Sequence, residues 1–345
     1  MKYNLHFTLD YEIHGNGDGN PLELMVEPTY RLMNLLEKYN QRLTIMADVA
    51  EILCFKRYQV ETGCDDYHVE EIEEQLKDAI RRGHEVQLHI HSSYFKAVHT
   101  GHSFDQCIDE YNMAALPIER IDEMVTECVK YLEQLLLPVK KDYKVWLFRA
   151  ANWSMMPTEN LYKVLVKHGI THDTSVYKGG VQGGNVCYDY RKAYDNLFAY
   201  PASSVNINEY DPNGLIIENP IYTEMRPFWS FLSVIRIFRM VRAKFHKHKN
   251  STMQTKESVN ADKNDNRRLT LKSFFRRSPL KMDFNQVNSR GLKKMMKNVM
   301  RRSEQAGMNN VDVVLIGHAK TYVPYNERTL ESFLKWCSKC KLVRK

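Results

Sequence analysis

Seven side chains in this sequence are of the types that carry hydrolytic chemistry, and their spacing groups them. Asp10 and Glu12 are separated by one residue, and so are His89 and His91. Arg149, Asp173 and His318 stand apart, each behind a short apolar run. On an extended strand, residues two apart share a face, so His89 and His91 can both point at one metal ion. Glu12 adds a hard oxygen ligand. Two imidazoles and a carboxylate, with a position left open for water, describe a catalytic zinc site. Such an ion polarises a carbonyl and lowers the pKa of water. Asp10 is then placed to take a proton from the water, and His318 to protonate a leaving amine or alcohol. Each piece has a plainer reading. A D-x-E pair is often a solvated strand end or a helix cap, Arg149 could serve a structural ion pair, and a histidine after a glycine is often a loop residue. The combination is what points to chemistry.

The elements that must position these residues follow from local pattern. Lys2–Leu9 alternates polar and apolar residues and predicts a strand, as do Leu43–Met46, Glu85–His89, Lys144–Phe148, Ile170–Asp173, Leu197–Tyr200, Leu215–Glu218 and Val311–Ile316. Helical periodicity covers Leu24–Tyr39, Val69–Arg82, Pro117–Leu137, Pro157–His168, Asn285–Ala306 and Glu327–Trp336, with Gly83 and Gly169 as stops. Strand–helix alternation predicts a parallel α/β sheet or barrel. In an α/β barrel the loops at the carboxyl ends of the strands converge on one rim, and the site residues all fall there. No internal repeat and no GxGxxG after a strand appears, which disfavours a dinucleotide fold.

Composition narrows the class. The 345 residues are 43% hydrophobic, ample for a core. The seven cysteines are odd in number and scattered, which fits a reducing compartment better than a disulfide framework. Cys337 and Cys340 form a lone CxxC, half of what a closed zinc site needs. The net charge of +7 is uneven. From Arg226 to Glu304, about 21 Lys and Arg stand against about 5 Asp and Glu, roughly +16, so the remainder is near −9. Basic charge confined to one segment argues against a general nucleic-acid binder. The opening MKYNLHFTLDYE reads as no secretory signal, and no window offers the ~20 apolar residues of a membrane span. The expected location is the cytoplasm.

One segment breaks the alternation. Phe228–Phe245 is apolar but carries Ser230, Ser233, Arg236, Arg239 and Arg242 at every third position, a stripe that precesses by about 60° per step on a helix. Three uses fit it: a helix packed on its own barrel, a peripheral membrane contact through residues 228–249, or an oligomer contact. Lys247–Arg277 follows as a basic linker, so residues 228–280 are expected to form an insertion in a single domain spanning 1–345.

The motifs resemble those of the NodB-homology polysaccharide deacetylases. The family's TFDD-type opening is matched by Thr8-Leu9-Asp10-Tyr11-Glu12, and its second motif by Gly83-His84-Glu85-Val86-Gln87-Leu88-His89-Ile90-His91. The arginine motif resembles Phe148-Arg149-Ala150-Ala151-Asn152-Trp153-Ser154, and the LxLH motif resembles Leu315-Ile316-Gly317-His318. The resemblance implies a distorted (β/α) barrel and removal of acetyl groups from a carbohydrate. It further implies a divalent metal, most simply Zn2+, on Glu12, His89 and His91. Asp10 would be the base and His318 the acid, with Arg149 orienting Asp10. Asp173, in Thr171-His172-Asp173-Thr174-Ser175, would tune the acid histidine. Two positions depart from the family. Ser93 stands where its HxxxH motif has a second histidine, so either His91 substitutes or the site has a weaker third ligand, and Ala151 stands where a proline is usual. Expected substrates are precursors of surface polysaccharide. Hydrolysis of cyclic imides or ureides, and a binding protein without turnover, are the alternatives.

Overall fold

The strand-forming runs assemble as their patterns require. The computed structural model describes residues 2–13, 18–227 and 277–342. Strand β1 (Lys2–Tyr11) alternates exposure in its first half and is buried throughout its second, as expected of a central parallel strand covered on both faces. It pairs in parallel with β2 (Leu43–Asp48), which pairs with β3 (Glu85–Ile90). Two short antiparallel strands, β4 (Val98–His99) and β5 (Phe104–Asp105), follow β3. The sheet continues through β6 (Leu147–Ala150) and β7 (His172–Asp173). A second ribbon comprises β8 (Val181–Gln182) and β9 (Tyr188–Asp189). Beyond it β10 (Tyr200–Ala202) and β11 (Ile216–Glu218) complete one edge, the only antiparallel pair of the main sheet among the described residues. The order is β10-β11-β7-β6-β3-β2-β1-β14, with β14 (Asn310–His318) on the other side of β1.

Helices cross between the parallel strands and cover the outer face: α1 (Glu27–Glu37), α2 (Val49–Thr62), α3 (Val69–Arg81), α4 (Ile118–Leu136), α5 (Thr158–Lys167), α6 (Ser289–Gln305) and α7 (Pro324–Lys339). Their apolar stripes meet Phe7, Leu9, Ile45, Leu88 and Leu315 in one core. The predicted stops hold: Gly83 and Gly169 turn at φ 78° and 73°, a conformation open to glycine. α2 has no counterpart in the pattern reading. Its buried residues Val49, Ala50, Ile52, Cys54 and Phe55 crowd the first two turns, while Val60 near its end is 79% exposed, so no repeating stripe marks it. Strand β6 begins three residues later than predicted and contains Arg149 rather than preceding it.

Two further strands matter for the site. β12 (Thr223–Pro227) and β13 (Arg277–Lys281) form an antiparallel ribbon in which Pro227 faces Arg277. Arg277–Leu280, expected at the end of the basic insertion, is therefore ribbon instead of linker. The predicted helix Phe228–Phe245 lies outside the described residues. After the ribbon, Asp283 bridges Ile316, and Ile221 bridges Val314. These segments run beside β14 and close the curl between β14 and the far edge of the sheet.

Candidate metal centre

Register places the chemistry in a row. Asp10 pairs with His318, Asp48 with His89, and His89 with Arg149, all at the carboxyl ends of parallel strands. The barrel thus delivers residues more than 300 positions apart to one rim, where αβ barrels build sites.

The ligand atoms of Glu12, His89 and His91 lie within 4.8 Å of one another, and all three residues are buried. His89 Nε2 stands 3.4 Å from Glu12 Oε2, and His91 Nδ1 stands 3.2 Å from the same oxygen. His89 Nδ1 donates to the Arg149 carbonyl at 2.8 Å, which fixes the ring and turns Nε2 to the centre. His91 is held by Asp48, whose carboxylate accepts from the His91 backbone N–H at 3.0 Å and meets Nδ1 at 2.9 Å. Asp48 also caps α2, accepting from Glu51 N–H at 3.4 Å. The local charge favours a cation. Burial pushes the His89 imidazole down, but the Glu12 hydrogen bond and the charges of Asp10, Glu12 and Asp48 outweigh it and hold it at about 9. Burial, then the charges of Asp48 and Glu12, push the Glu51 carboxyl up. Two imidazoles and a carboxylate amid surplus acid suit a divalent first-row metal.

Beside this trio stands Asp10. Arg149, fully buried, donates to Asp10 Oδ1 at 2.6 Å, to Thr8 Oγ1 at 2.8 Å and to the Thr174 carbonyl at 2.9 Å. Burial pushes the Asp10 carboxyl up, yet Arg149, His318 and His89 together hold it below the usual range. The other Asp10 oxygen lies 3.4 Å from His318 Nε2. The His318 backbone is clamped by Asn285, which accepts from its N–H and donates to its carbonyl, each at 3.1 Å. Lys320 reaches Glu12 at 3.3 Å.

Asp173 faces elsewhere. Its oxygens accept from Ser175 Oγ at 2.8 Å and Ser175 N–H at 2.9 Å, and burial pushes its carboxyl up against the lowering effect of the Glu218 and Ser175 hydrogen bonds. The buried acids whose charges act on His318 are Asp10, Glu12 and Asp283, against a burial that pushes the imidazole down. Asp283 is thus a site residue that pattern reading missed. It follows no strand-end motif and reaches His318 only through the bridge to β14. Asp48 was missed because a helix-capping aspartate looks the same whatever it touches. An aromatic wall flanks His318: Trp153 packs edge-on at 5.9 Å, backed by Tyr177 at 5.7 Å. The Tyr177 hydroxyl meets that of Tyr188 at 2.7 Å, and Tyr188 borders a groove of about 860 Å³ that Met156, Val181 and Asp109 also line. A second cavity, lined by His6, Thr44, Trp146 and Asp312, lies at the amino ends of the strands.

No family profile and no curated protein matches the chain. Solved structures do. A protein of Parabacteroides distasonis described as a glycoside hydrolase/deacetylase aligns with a TM-score of 0.53 at 12% identity, covering 99% of this chain and 68% of that one. One from Mycobacterium smegmatis described as a polysaccharide deacetylase gives 0.47 at 12%, covering 99% and 86%. PuuE allantoinase gives 0.48 at 12%, covering 98% and 84%. At such identity the likeness is one of fold. The architecture is the curled, mostly parallel α/β barrel expected from the NodB-type motifs.

Proposed function

We propose that this chain is a metal-dependent hydrolase that removes an acyl group from a carbohydrate. The observation that carries the reading is the meeting of the Glu12–His89–His91 trio with the Arg149-held Asp10 and with His318 on one rim. A divalent cation on the trio, zinc by donor chemistry, would polarise the acyl carbonyl and acidify water. The protein's own groups supply the rest. Asp10, kept ionised by Arg149, takes the proton of the attacking water. Asp10 and His318 are 3.4 Å apart, so the proton can pass to the imidazole and on to the leaving nitrogen or oxygen. Asp283 is one of the buried acids whose charge favours a protonated His318. Trp153 and Tyr177 line the space beside His318 together with Lys281, and the adjoining groove has room for more of the substrate. An intracellular or membrane-associated precursor of surface polysaccharide remains our expected substrate.

Metal analysis and acetate release test this together. The purified chain should hold about one first-row metal, lost in His89→Ala. It should free acetate from N-acetylated sugars, and His318→Ala should slow turnover ~10²–10⁴-fold. A chain that takes up no metal on titration would sink the reading. Ring opening of a ureide without acetate release would move the activity to other C–N bonds.

A further inference from the structure

The return strand of the insertion brings a cation to the mouth of the site. Lys281 ends β13, opposite Thr223. Its Nζ lies 3.1 Å from the centroid of the Trp153 ring and 4.4 Å from that of Tyr177. Trp153 is the ring that packs against His318. It is presented there by a left-handed backbone, φ 60°, directly after Asn152 at φ 50°. Such conformations in residues other than glycine are strained and persist where the surroundings hold them, often at functional sites. Here Tyr190 helps, its hydroxyl donating to the Trp153 carbonyl at 2.6 Å.

The ammonium is poorly compensated. Burial pushes Lys281 down to about 7, although Asp283 and Asp10 pull it up. Asp10 is already engaged, and Asp283 is engaged through Oδ1, its buried Oδ2 having no hydrogen-bond partner among the described residues. Asp10 holds Arg149, and Asp283 accepts from the backbone N–H groups of Asn285 at 2.8 Å and Gln286 at 3.1 Å. Among the described residues, no carboxylate pairs with Lys281. Aromatic faces attract its charge, and among the described residues no oxygen accepts from its three N–H donors. The other cations here are committed: Arg149 to Asp10, Thr8 and Thr174, and Lys320 to Glu12.

We propose that Lys281 contacts the substrate and selects acylated molecules that carry an anionic substituent beside the scissile bond. The proposal rests on the hydrolase reading above. A cation stripped of water and lacking a carboxylate gains most from a charged acceptor, and lysine, a point charge, suits phosphate or carboxylate oxygens. Arg149 already neutralises Asp10, which limits repulsion of such a group.

The test compares the metal-loaded full chain with Lys281→Met, Lys281→Gln and Lys281→Arg, using inorganic phosphate as probe in calorimetry. Phosphate should bind the unsubstituted chain about tenfold or more tightly than the Met and Gln variants, with the Arg variant within about threefold. In acetate release, both neutral variants should raise KM for N-acetylglucosamine 6-phosphate and leave that for N-acetylglucosamine in place. Equal phosphate affinity across all four proteins would overturn the proposal, as would an equal loss on both sugars, the mark of a purely structural tether. Should Met misfold, the Gln and Arg pair gives the same comparison. A phosphate difference without acetate release from either sugar would uphold Lys281 and refute the deacylase reading.

Discussion

At the scale of single residues, Arg149 does the most to define the site. A guanidinium buried on all sides is tolerated because Asp10, Thr8 and Thr174 take its donors. The ion pair gives Asp10 its low pKa, so its contribution is present above the unfolded carboxylate range and is lost as pH falls through the folded value. Arg149→Met should cost about 3–5 kcal/mol, because it leaves a buried carboxylate alone. Urea denaturation reads this, and adding Asp10→Asn should return part of the loss. An unchanged midpoint would mean the pair is not buried as described. Glu218 behaves in the opposite sense. Burial and the neighbouring Asp173 raise its pKa well above the usual value. Its stability contribution is therefore complete below the unfolded carboxylate range and is lost as pH rises toward the folded value. Glu218→Gln removes that titration. From about pH 5 upward the unsubstituted chain should lose stability with rising pH more steeply than the variant, by up to about 1.4 kcal/mol per pH unit. Parallel pH curves for the two proteins would contradict this.

At the scale of elements, the last turn of β14 is the most constrained. Gly317 precedes His318, and a Cβ there would collide with the Phe284 ring and with Asn285 Oδ1. The glycine is required by close approach, and Asn285 is the residue that clamps His318. Gly317→Ala should destabilise by about 1–3 kcal/mol, as overpacking does. It should also depress turnover more than metal content, because His318 moves and the trio does not. Equal losses of metal and turnover would argue against it. The same element shows what pattern reading can reach. Asp10, Glu12, His89, His91 and His318 were legible because period-two spacing and strand ends are local properties. The strand-to-helix order gave the barrel for the same reason. Asp48, Asp283 and Lys281 were not legible. Each is brought to the rim by pairing between strands distant in sequence, and no local spacing marks them. The family resemblance implied Asp173 as the partner of His318, but its strand β7 lies five places from β14 in the sheet order, and Ser175 and Glu218 are its neighbours.

At the scale of the molecule, the barrel and the basic charge are separable in the chain. The segments that close the curl, Ile221–Tyr222 and Met282–Phe284, flank the ribbon β12–β13, whose outer pair is Pro227 and Arg277. An antiparallel pair can be joined by a two-residue Asn-Gly turn. Replacing residues 228–276 with that turn should leave every described site residue in place, Lys281 included. The replacement removes about 12 Lys and Arg and about 3 Asp and Glu, so the net charge falls from +7 to about −2. No described helix is long and apolar enough to cross a membrane. The basic residues of the 228–249 sequence would favour a peripheral attachment, driven by charge at an anionic surface. Each such charge is worth about 1 kcal/mol there and is screened by salt. The shortened protein should keep its denaturation midpoint within about 1 kcal/mol and its metal stoichiometry. It should lose the binding to vesicles of phosphatidylserine that the full chain is expected to show at low salt. Should it unfold, the segment is part of the barrel. Should it fold and still bind the vesicles, the membrane role belongs to another surface.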